Sequence, residues 1–210
     1  MEGELKMKCA WIYGADQLMI DYHDKEWGRP LHDERGLFEL LCLEGLQAGL
    51  SWKIVLNKRE FLRKAFDNFE VEKISQYTSD DVEKLLTDPK IIRNKRKIEA
   101  IINNAKIVNT LYERNESLDS FFWGIIDNQP IINNFKNPEE IPTKTQLSEQ
   151  ISKTLKKMGF KFVGPTIIYS FMEASGMVND HLVGCYGRNY KRMGKNSVLN
   201  KKWLIHKIVS

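Results

Sequence analysis

Hydrophobic residues recur at intervals of three and four positions along most of the chain, which is the spacing of one face of an α-helix. The strongest run covers residues 37–43, and Asp33 stands where a helix N-cap is expected. Alternating polar and apolar positions, which would indicate half-buried strands, are nearly absent. The same helical spacing predicts further helices, starting near Ser51 and Ser79 and covering 98–111, 117–126, 146–158 and 166–174. The pattern therefore predicts an all-α fold.

Composition adds that the chain has the make-up of an ordinary globular protein. Of its 210 residues, 42% are hydrophobic and 29% are charged, as in typical folded domains. No apolar run reaches the roughly 18 residues that span a bilayer, and the N-terminus is too polar for a signal peptide. We therefore expect a cytoplasmic protein without a membrane segment. We expect one domain over residues 1–186, an irregular connection at 128–145 and a basic C-terminal extension over 187–210.

The distribution of charge points to an anionic partner more clearly than the net charge of +4 does. Basic residues cluster in three segments, Lys90–Lys97, Lys153–Lys161 and Arg188–Lys207. Such clusters suit a phosphate backbone, although lysine-rich solvent-exposed helix faces are common in proteins that bind no anion. The clusters alone leave both interpretations open.

Glu44 is the one carboxylate in the apolar segment 41–52, which ends in a Gly-Leu-Ser-Trp turn. Burying an unpaired charge costs several kcal/mol, so a glutamate among leucines needs an explanation. One explanation is that Glu44 lies on the solvent-exposed face of the helix and has no function. The other is that Glu44 lines a pocket with Trp52 and binds a ligand that carries donors or positive charge.

Residues 158–166 predict a tight turn between two helices. Gly159 suits the left-handed conformation that ends a helix, and Pro165 suits the first turn of the next one. Free amides at that N-terminus, with Lys161 beside them, would form an anion site. A plain turn between core helices explains the same residues. The spacing from Gly159 to Gly164, after a basic helix and before an apolar one, favours a helix-hairpin-helix element that binds a DNA phosphate.

Cysteine and histidine residues near the two ends of the chain form a candidate metal set. The three cysteines are too few for a disulfide scaffold in a cytosolic chain or for a four-thiolate cluster. Two cysteines and two histidines complete a tetrahedral Zn²⁺ site. His181 and Cys185 have helical i, i+4 spacing, but Cys9 and His23 lie far apart in sequence, so spacing alone does not select zinc.

Six segments together resemble one known family, 3-methyladenine DNA glycosylase I (the Tag family). The resemblance spans about residues 8–186, in order and nearly the whole chain. The segments are Cys9–Trp11, Tyr22–Gly28, Leu43–Trp52, Ile91–Ile98, Gly159–Gly164 and Val178–Cys185.

This resemblance implies a helix-hairpin-helix DNA glycosylase fold in which structural Zn²⁺ joins the N- and C-terminal segments. The ligands of that family fall here on Cys9, His23, His181 and Cys185. Its DNA phosphate-binding hairpin falls on Gly159, Lys161 and Gly164. Its base-binding pocket falls on Glu44 and four aromatic residues, Trp11, Tyr22, Trp27 and Trp52.

The implied activity is monofunctional excision of 3-methyladenine from alkylated double-stranded DNA, by a protein expected to act as a monomer. An N3-alkylated adenine is cationic in DNA and leaves readily, so the enzyme has to extract the nucleotide, bind the base and position water. Glu44 is the expected catalytic carboxylate. Asp180 stands near the position of an aspartate that the wider superfamily uses, but within the zinc segment, where a structural role is expected. Two alternatives remain: a non-catalytic DNA-binding protein of the same fold, and a glycosylase for another modified base.

Overall fold

The computed structural model describes residues 8–189, which are mostly helical. The two strands of this part of the chain, β1 (Ile131–Ile132) and β2 (Val178–Asn179), pair in parallel. No helix among these residues is both long and apolar enough to cross a membrane. The predicted C-terminal extension lies outside the described residues apart from residues 187–189. The α-helices of residues 8–189 are α1 (Gln17–Lys25), α2 (Glu34–Gln47), α3 (Trp52–Ala65), α4 (Val71–Ile74), α5 (Ser79–Thr87), α6 (Lys95–Glu113), α7 (Leu118–Ile125), α8 (Gln146–Lys157) and α9 (Pro165–Ala174).

Local sequence signals explain most of the helix boundaries. The Asp33 carboxylate accepts a hydrogen bond from the Gly36 amide at 2.7 Å, which confirms the predicted cap of α2. Ser51 precedes α3 as predicted but makes no side-chain cap bond. The structure adds α1, which the hydrophobic pattern did not predict because its buried residues are Tyr22 and His23 rather than aliphatic ones.

The described residues divide into two compact units. Residues 8–30, 121–142 and 172–189 form the first unit, and residues 31–120 and 143–171 form the second. In the first unit, the Gly28 amide donates to the Glu173 carbonyl oxygen at 2.9 Å, and β1 pairs with β2. These bonds join N-terminal, middle and C-terminal segments of the chain. The expectation of one domain over residues 1–186 stays a prediction.

In the second unit, α2 packs against α3 and α6. Residues 36–46 of α2 are all buried, which suits a helix that is apolar nearly all round. Two carboxylates, Glu39 and Glu44, are buried with them. Glu39 is paired with three guanidinium groups at 2.7–2.8 Å, those of Arg35, Arg59 and Arg63. Burial opposes ionisation of Glu39, but the three arginines outweigh it and lower its pKa.

Gly176 is expected to be essential for the first unit, because its φ is +71° and an added Cβ would lie 2.1 Å from the carbonyl carbon of Arg29. We expect Gly176→Ala to lower the free energy of unfolding by roughly 3 kcal/mol or more, from backbone strain and the clash together. Gly14→Ala is the matched control, since Gly14 has φ +72° and no atom within 4 Å of an added Cβ. Urea unfolding of both variants measures the difference. Equal losses would contradict the role of the Arg29 contact.

Candidate metal centre, buried carboxylate and hairpin

The first unit brings the four predicted metal ligands together. The ligand atoms of Cys9, His23, His181 and Cys185 all lie within 4.8 Å of one another, and all four residues are buried. Cys185 Sγ lies 3.4 Å from His23 Nε2 and 3.5 Å from His181 Nδ1, and Cys9 Sγ lies 3.5 Å from His181 Nδ1. The four side chains could therefore hold one metal ion.

Neighbouring groups fix the orientation of both histidine rings. His23 Nδ1 bonds to the Asp24 carboxylate at 2.7 Å, which leaves Nε2 facing the cluster. His181 Nε2 lies 3.1 Å from the Trp27 carbonyl oxygen, which leaves Nδ1 facing the cluster. The Tyr186 hydroxyl donates to Asp24 in turn. Such outer partners hold metal-binding histidines in the ligating tautomer.

The two thiols respond oppositely to this environment. A hydrogen bond from Cys9, helped by bonds from His181 and His23, lowers the pKa of Cys185. The same Cys9–Cys185 bond, together with burial, raises the pKa of Cys9. A thiolate is the form that binds a metal, so one of the two ligands is already favoured in that form.

The predicted aromatic residues Trp11, Tyr22 and Trp27 lie together in the first unit. The ring centroid of Trp11 is 5.2 Å from that of Trp27 and 6.4 Å from that of Tyr22. Trp11 and Trp27 also contact the histidine rings, with centroids 5.2 Å apart for Trp11–His23 and 4.6 Å for Trp27–His181. Tyr22 and Trp27 are buried, whereas Trp11 is 37% exposed. The aromatic cluster therefore rests on the candidate metal ligands.

Glu44 lies in the last turns of α2 in the second unit, and Trp52 is the first residue of α3. Glu44 is only 3% exposed, and no donor among residues 8–189 reaches its Oε2. Burial raises the pKa of Glu44 to about 8. Glu39, the other buried carboxylate of α2, is paired with three arginines. The lack of an ion-pair partner therefore distinguishes Glu44 from Glu39. A buried acceptor without a donor is typical of a functional site.

Lys97 of α6 anchors the end of the helix that carries Glu44. Its Nζ donates to the carbonyl oxygens of Leu46 at 2.7 Å and Ala48 at 2.6 Å. These carbonyl oxygens belong to the last turn of α2, where intrahelical donors run out. Lys97 is buried, and burial lowers its pKa. The charged lysine also complements the C-terminal end of the helix dipole.

The unpaired state of Glu44 predicts a pH-dependent stability difference. The folded-state pKa of about 8 exceeds the usual 4.5, so between these values only the folded protein keeps the proton. The free energy of unfolding therefore falls as pH rises through this range, by about 1.4 kcal/mol per unit at most. Glu44→Gln removes this loss. We therefore expect the free energy of unfolding of the variant, relative to that of the wild type, to increase by a few kcal/mol from pH 5 to pH 8.

Urea unfolding at pH 5, 6.5 and 8 measures that gain. The exposed glutamate Glu99 on α6 supplies the matched control, and Glu99→Gln should show no such trend with pH. A Glu44→Gln difference that is equal at pH 5 and pH 8 would show that the wild-type carboxyl titrates normally.

The predicted hairpin joins α8 to α9 within the second unit. Gly159 has φ +95°, which confirms the helix-ending conformation expected for it. The Lys161 amide donates to Asn104 Oδ1 at 2.8 Å, so this amide is engaged within the protein. The amides of Val163 and Gly164 donate to no acceptor among residues 8–189. Gly164 has no left-handed φ, and an added Cβ would meet nothing within 4 Å, so neither conformation nor packing requires a glycine there.

Side chains of α6 hold the hairpin in place, and α2 packs against it at Gly45. Asn104 Nδ2 donates to the Lys161 carbonyl oxygen at 3.0 Å, and Asn103 Nδ2 donates to that of Gly159 at 3.0 Å. Phe162 has a positive φ of 53°, and a Cβ added to Gly45 would lie 3.3 Å from Phe162 Cβ. The helix that carries Glu44 therefore packs directly on the hairpin.

Asp180 is buried in the first unit and accepts a hydrogen bond from Asn133 Nδ2 at 2.7 Å. Its neighbour His181 belongs to the metal cluster. The structural role expected for Asp180 stays a prediction.

Sequence reasoning missed several residues that support these sites. Asp24 and Tyr186 orient His23, Lys97 anchors α2, and Asn104 supports the hairpin. Asp24 follows a predicted ligand directly, so its position was a usable signal. The other three lie far along the chain from the groups they contact. Lys97 belongs to the basic cluster Lys90–Lys97, but its position there does not indicate its contact with α2.

Comparison with known proteins gives one consistent family. Residues 11–188 match the family described as methyladenine glycosylase. DNA-3-methyladenine glycosylase 1 of Escherichia coli strain K12 is 49% identical over 178 residues, covering 85% of this chain and 95% of that relative. A crystal structure of 3-methyladenine DNA glycosylase I is 49% identical with a TM-score of 0.83, covering 86% of this chain and 98% of that one. A structure of the Staphylococcus aureus enzyme, which addresses its recognition of 3-methyladenine, is 37% identical with a TM-score of 0.83, covering 88% and 97%.

Proposed function

The chain belongs to the methyladenine glycosylase family, and from this we propose that it is a monofunctional DNA N-glycosylase that excises 3-methyladenine during base-excision repair. The observation that carries the proposal is the buried carboxylate of Glu44, whose Oε2 has no donor among the described residues. The names of relatives that share about half of its sequence support the same reaction.

We propose Glu44 as the catalytic and base-binding carboxylate. The exocyclic amine of adenine can donate to it, whereas guanine presents a carbonyl oxygen at the corresponding position, so the carboxylate selects against guanine. The N3-alkylated base is cationic while it is attached to deoxyribose. A cation at hydrogen-bond distance favours the ionised carboxyl, so the base opposes the burial that raises the pKa of Glu44 to about 8 in the free protein.

The protein does not need to protonate the base, because the alkylated base is already cationic. The bond between N9 and C1′ breaks with its electrons moving into the ring, and the cationic base leaves as a neutral molecule. Water then adds to C1′ and gives up a proton. The protein supplies extraction of the nucleotide, fixed hydrogen bonds to the base and a site sheltered from bulk water.

Trp11, Tyr22, Trp27 and Trp52 remain the proposed aromatic contacts of the base. Aromatic ring faces stack on bases, and a cationic base gains roughly 0.5–2 kcal/mol from such a face. The packing of Trp11 and Trp27 on the two histidine rings keeps these indoles in fixed orientations.

We propose Zn²⁺ as the ion held by Cys9, His23, His181 and Cys185. Bond lengths of about 2.3 Å to sulfur and about 2.0 Å to nitrogen place these atoms about 3.5 Å apart in a tetrahedron. Three of the four sulfur–nitrogen distances are 3.4–3.5 Å and fit that geometry, and all four ligand atoms lie within 4.8 Å of one another. Four protein ligands leave no open coordination position, so the ion would serve the fold. It would fix the histidines on which the aromatic cluster rests.

The hairpin is proposed to bind a DNA phosphate through Gly159, Lys161 and Gly164, as in the helix-hairpin-helix motif. The unengaged amides of Val163 and Gly164 and the open space at Gly164 Cα support close approach of a backbone phosphate. Such a contact positions the protein on duplex DNA without reading sequence. We further propose that the protein is cytoplasmic and acts on this DNA as a monomer.

The test is release of free base from N-methylated duplex DNA by the purified protein, with released bases separated by chromatography. Release of 3-methyladenine supports the proposal. Release of a different base alone would identify a shifted substrate. Salt-sensitive DNA binding without release of any base would instead support the non-catalytic alternative.

A further inference from the structure

A basic groove lies on the surface of α8 in the second unit. Its volume is about 450 Å³, and the residues that line it include Lys153, Lys156 and Lys157 with Ser152 and Pro165. The three lysines are spaced i, i+3 and i+4, so their side chains share one face of the helix. Pro165 is the first residue of α9, so the groove reaches from α8 to the end of the hairpin.

The positive charge of this groove is not compensated within the described chain. Lys153, Lys156 and Lys157 are exposed, and no carboxylate of residues 8–189 forms an ion pair with them. The one acidic residue in the lining, Glu149, accepts a hydrogen bond from Lys144 Nζ at 2.6 Å. Three exposed lysines without an ion-pair partner among residues 8–189 therefore lie along one groove.

The groove is rigidly connected to the hairpin. Ser152 Oγ donates to the Val163 carbonyl oxygen at 2.6 Å, and this serine is buried. The Phe160 amide donates to the Leu155 carbonyl oxygen at 3.0 Å. These two bonds fix the lysine-bearing face of α8 relative to the unengaged amides of Val163 and Gly164.

We propose that this groove binds phosphodiester groups of the same DNA strand that the hairpin holds, next to the phosphate at the hairpin. This inference rests on the proposed function, which supplies DNA as the ligand. A strand carries one phosphate per about 3.4 Å of helix axis, so a strand that enters the hairpin continues past its edge with further negative charges. Lys153, Lys156 and Lys157 contact these charges and set the direction in which the strand leaves the hairpin.

The test compares the salt dependence of binding to a fluorescent 20-base-pair duplex. The full-length wild type, the triple variant Lys153→Gln/Lys156→Gln/Lys157→Gln and the control Lys64→Gln are each titrated between 50 and 300 mM NaCl. Lys64 is an exposed lysine on α3 without an ion pair among residues 8–189. Each phosphate contact contributes about 0.9 to the slope of log K against log salt.

We expect the slope to fall by about 2–3 in the triple variant and to stay unchanged in Lys64→Gln. Equal slopes for the wild type and the triple variant would overturn the inference. A fall in Lys64→Gln of about one third of that in the triple variant would overturn it as well, because the effect would then follow the number of charges removed and not their position. The proposed function is tested separately by base release from the wild type. Absence of base release would contradict the proposed function, and the comparison of salt slopes would still decide whether the groove binds DNA.

Discussion

Glu44→Gln is expected to lower the rate of 3-methyladenine release by about a hundredfold or more, as removal of one preorganised electrostatic contact does in other enzymes. The substitution keeps the shape of the side chain and its capacity to accept one hydrogen bond. It removes the negative charge that complements the cationic base. Single-turnover release from methylated duplex DNA, with enzyme in excess, measures the change.

Binding of undamaged duplex DNA separates this effect from misfolding. Glu44→Gln should bind such DNA about as tightly as the wild type, because phosphate contacts dominate that affinity. Glu99→Gln should match the wild type in both assays, since Glu99 is an exposed residue of α6. Undiminished base release by Glu44→Gln would place the catalytic group elsewhere.

The pH profile adds a second readout of the same group. The profile of kcat/KM reports ionisations of the free enzyme. With the pKa of Glu44 at about 8, kcat/KM of the wild type should rise up to that pH and then level off. The residual activity of Glu44→Gln should lack this rise.

Most of the longer helices could be predicted from the sequence because they carry their own apolar stripe, whereas α1, whose buried residues are Tyr22 and His23, could not. The spacing of residues 37–43 and the side chain of Asp33 defined α2 without reference to the rest of the chain. The strand pair β1–β2 could not be predicted, since two residues on each strand form no pattern and their pairing is long-range.

Some residues of the candidate site could be predicted from the sequence more fully than others. Glu44 stood out as a charge among leucines, but Glu39 lies in the same helix only five residues earlier. What separates the two is the position of Arg59 and Arg63 on α3, which depends on how α2 and α3 pack. The sequence therefore raised the question of a buried carboxylate, and only the structure shows which one has no donor.

The four metal ligands depended on resemblance rather than on spacing. Cys9 and Cys185 lie at opposite ends of the described chain, and no local rule joins them. The structure brings them together because the first unit is built from three separate segments. Asp24 and Tyr186, which complete the surroundings of His23, follow from the same long-range packing.

Removal of one ligand of this cluster is expected to have the largest effect on stability. Cys185→Ala leaves three ligands, and structural zinc sites contribute folding free energy directly. We expect the purified wild type to contain about one zinc ion per chain and the variant to contain almost none. A loss of several kcal/mol corresponds to a fall in Tm of about 10 °C or more for a chain of this size.

Cys42→Ala is the matched control for a buried cysteine outside the cluster. Cys42 is 2% exposed in α2, and burial raises its pKa well above the usual value, so it is an apolar side chain rather than a ligand. Its replacement should keep the zinc and lower Tm by only a few degrees, as expected for a small cavity costing roughly 1 kcal/mol. Metal analysis and thermal unfolding of the three proteins measure both quantities.

Replacement of Asp24, whose carboxylate orients His23, is expected to have an intermediate effect. Asp24→Asn keeps all four ligands but weakens the hold on the His23 ring, and such changes typically cost about 10–100-fold in metal affinity. Competition with a chelator should therefore rank the wild type above Asp24→Asn and Asp24→Asn above Cys185→Ala. Full zinc content in Cys185→Ala, or an unchanged Tm of the wild type after removal of the metal, would show that the cluster does not hold a structural ion. This ranking follows because Asp24→Asn removes one contact that orients the His23 ring, whereas Cys185→Ala removes a ligand of the cluster itself.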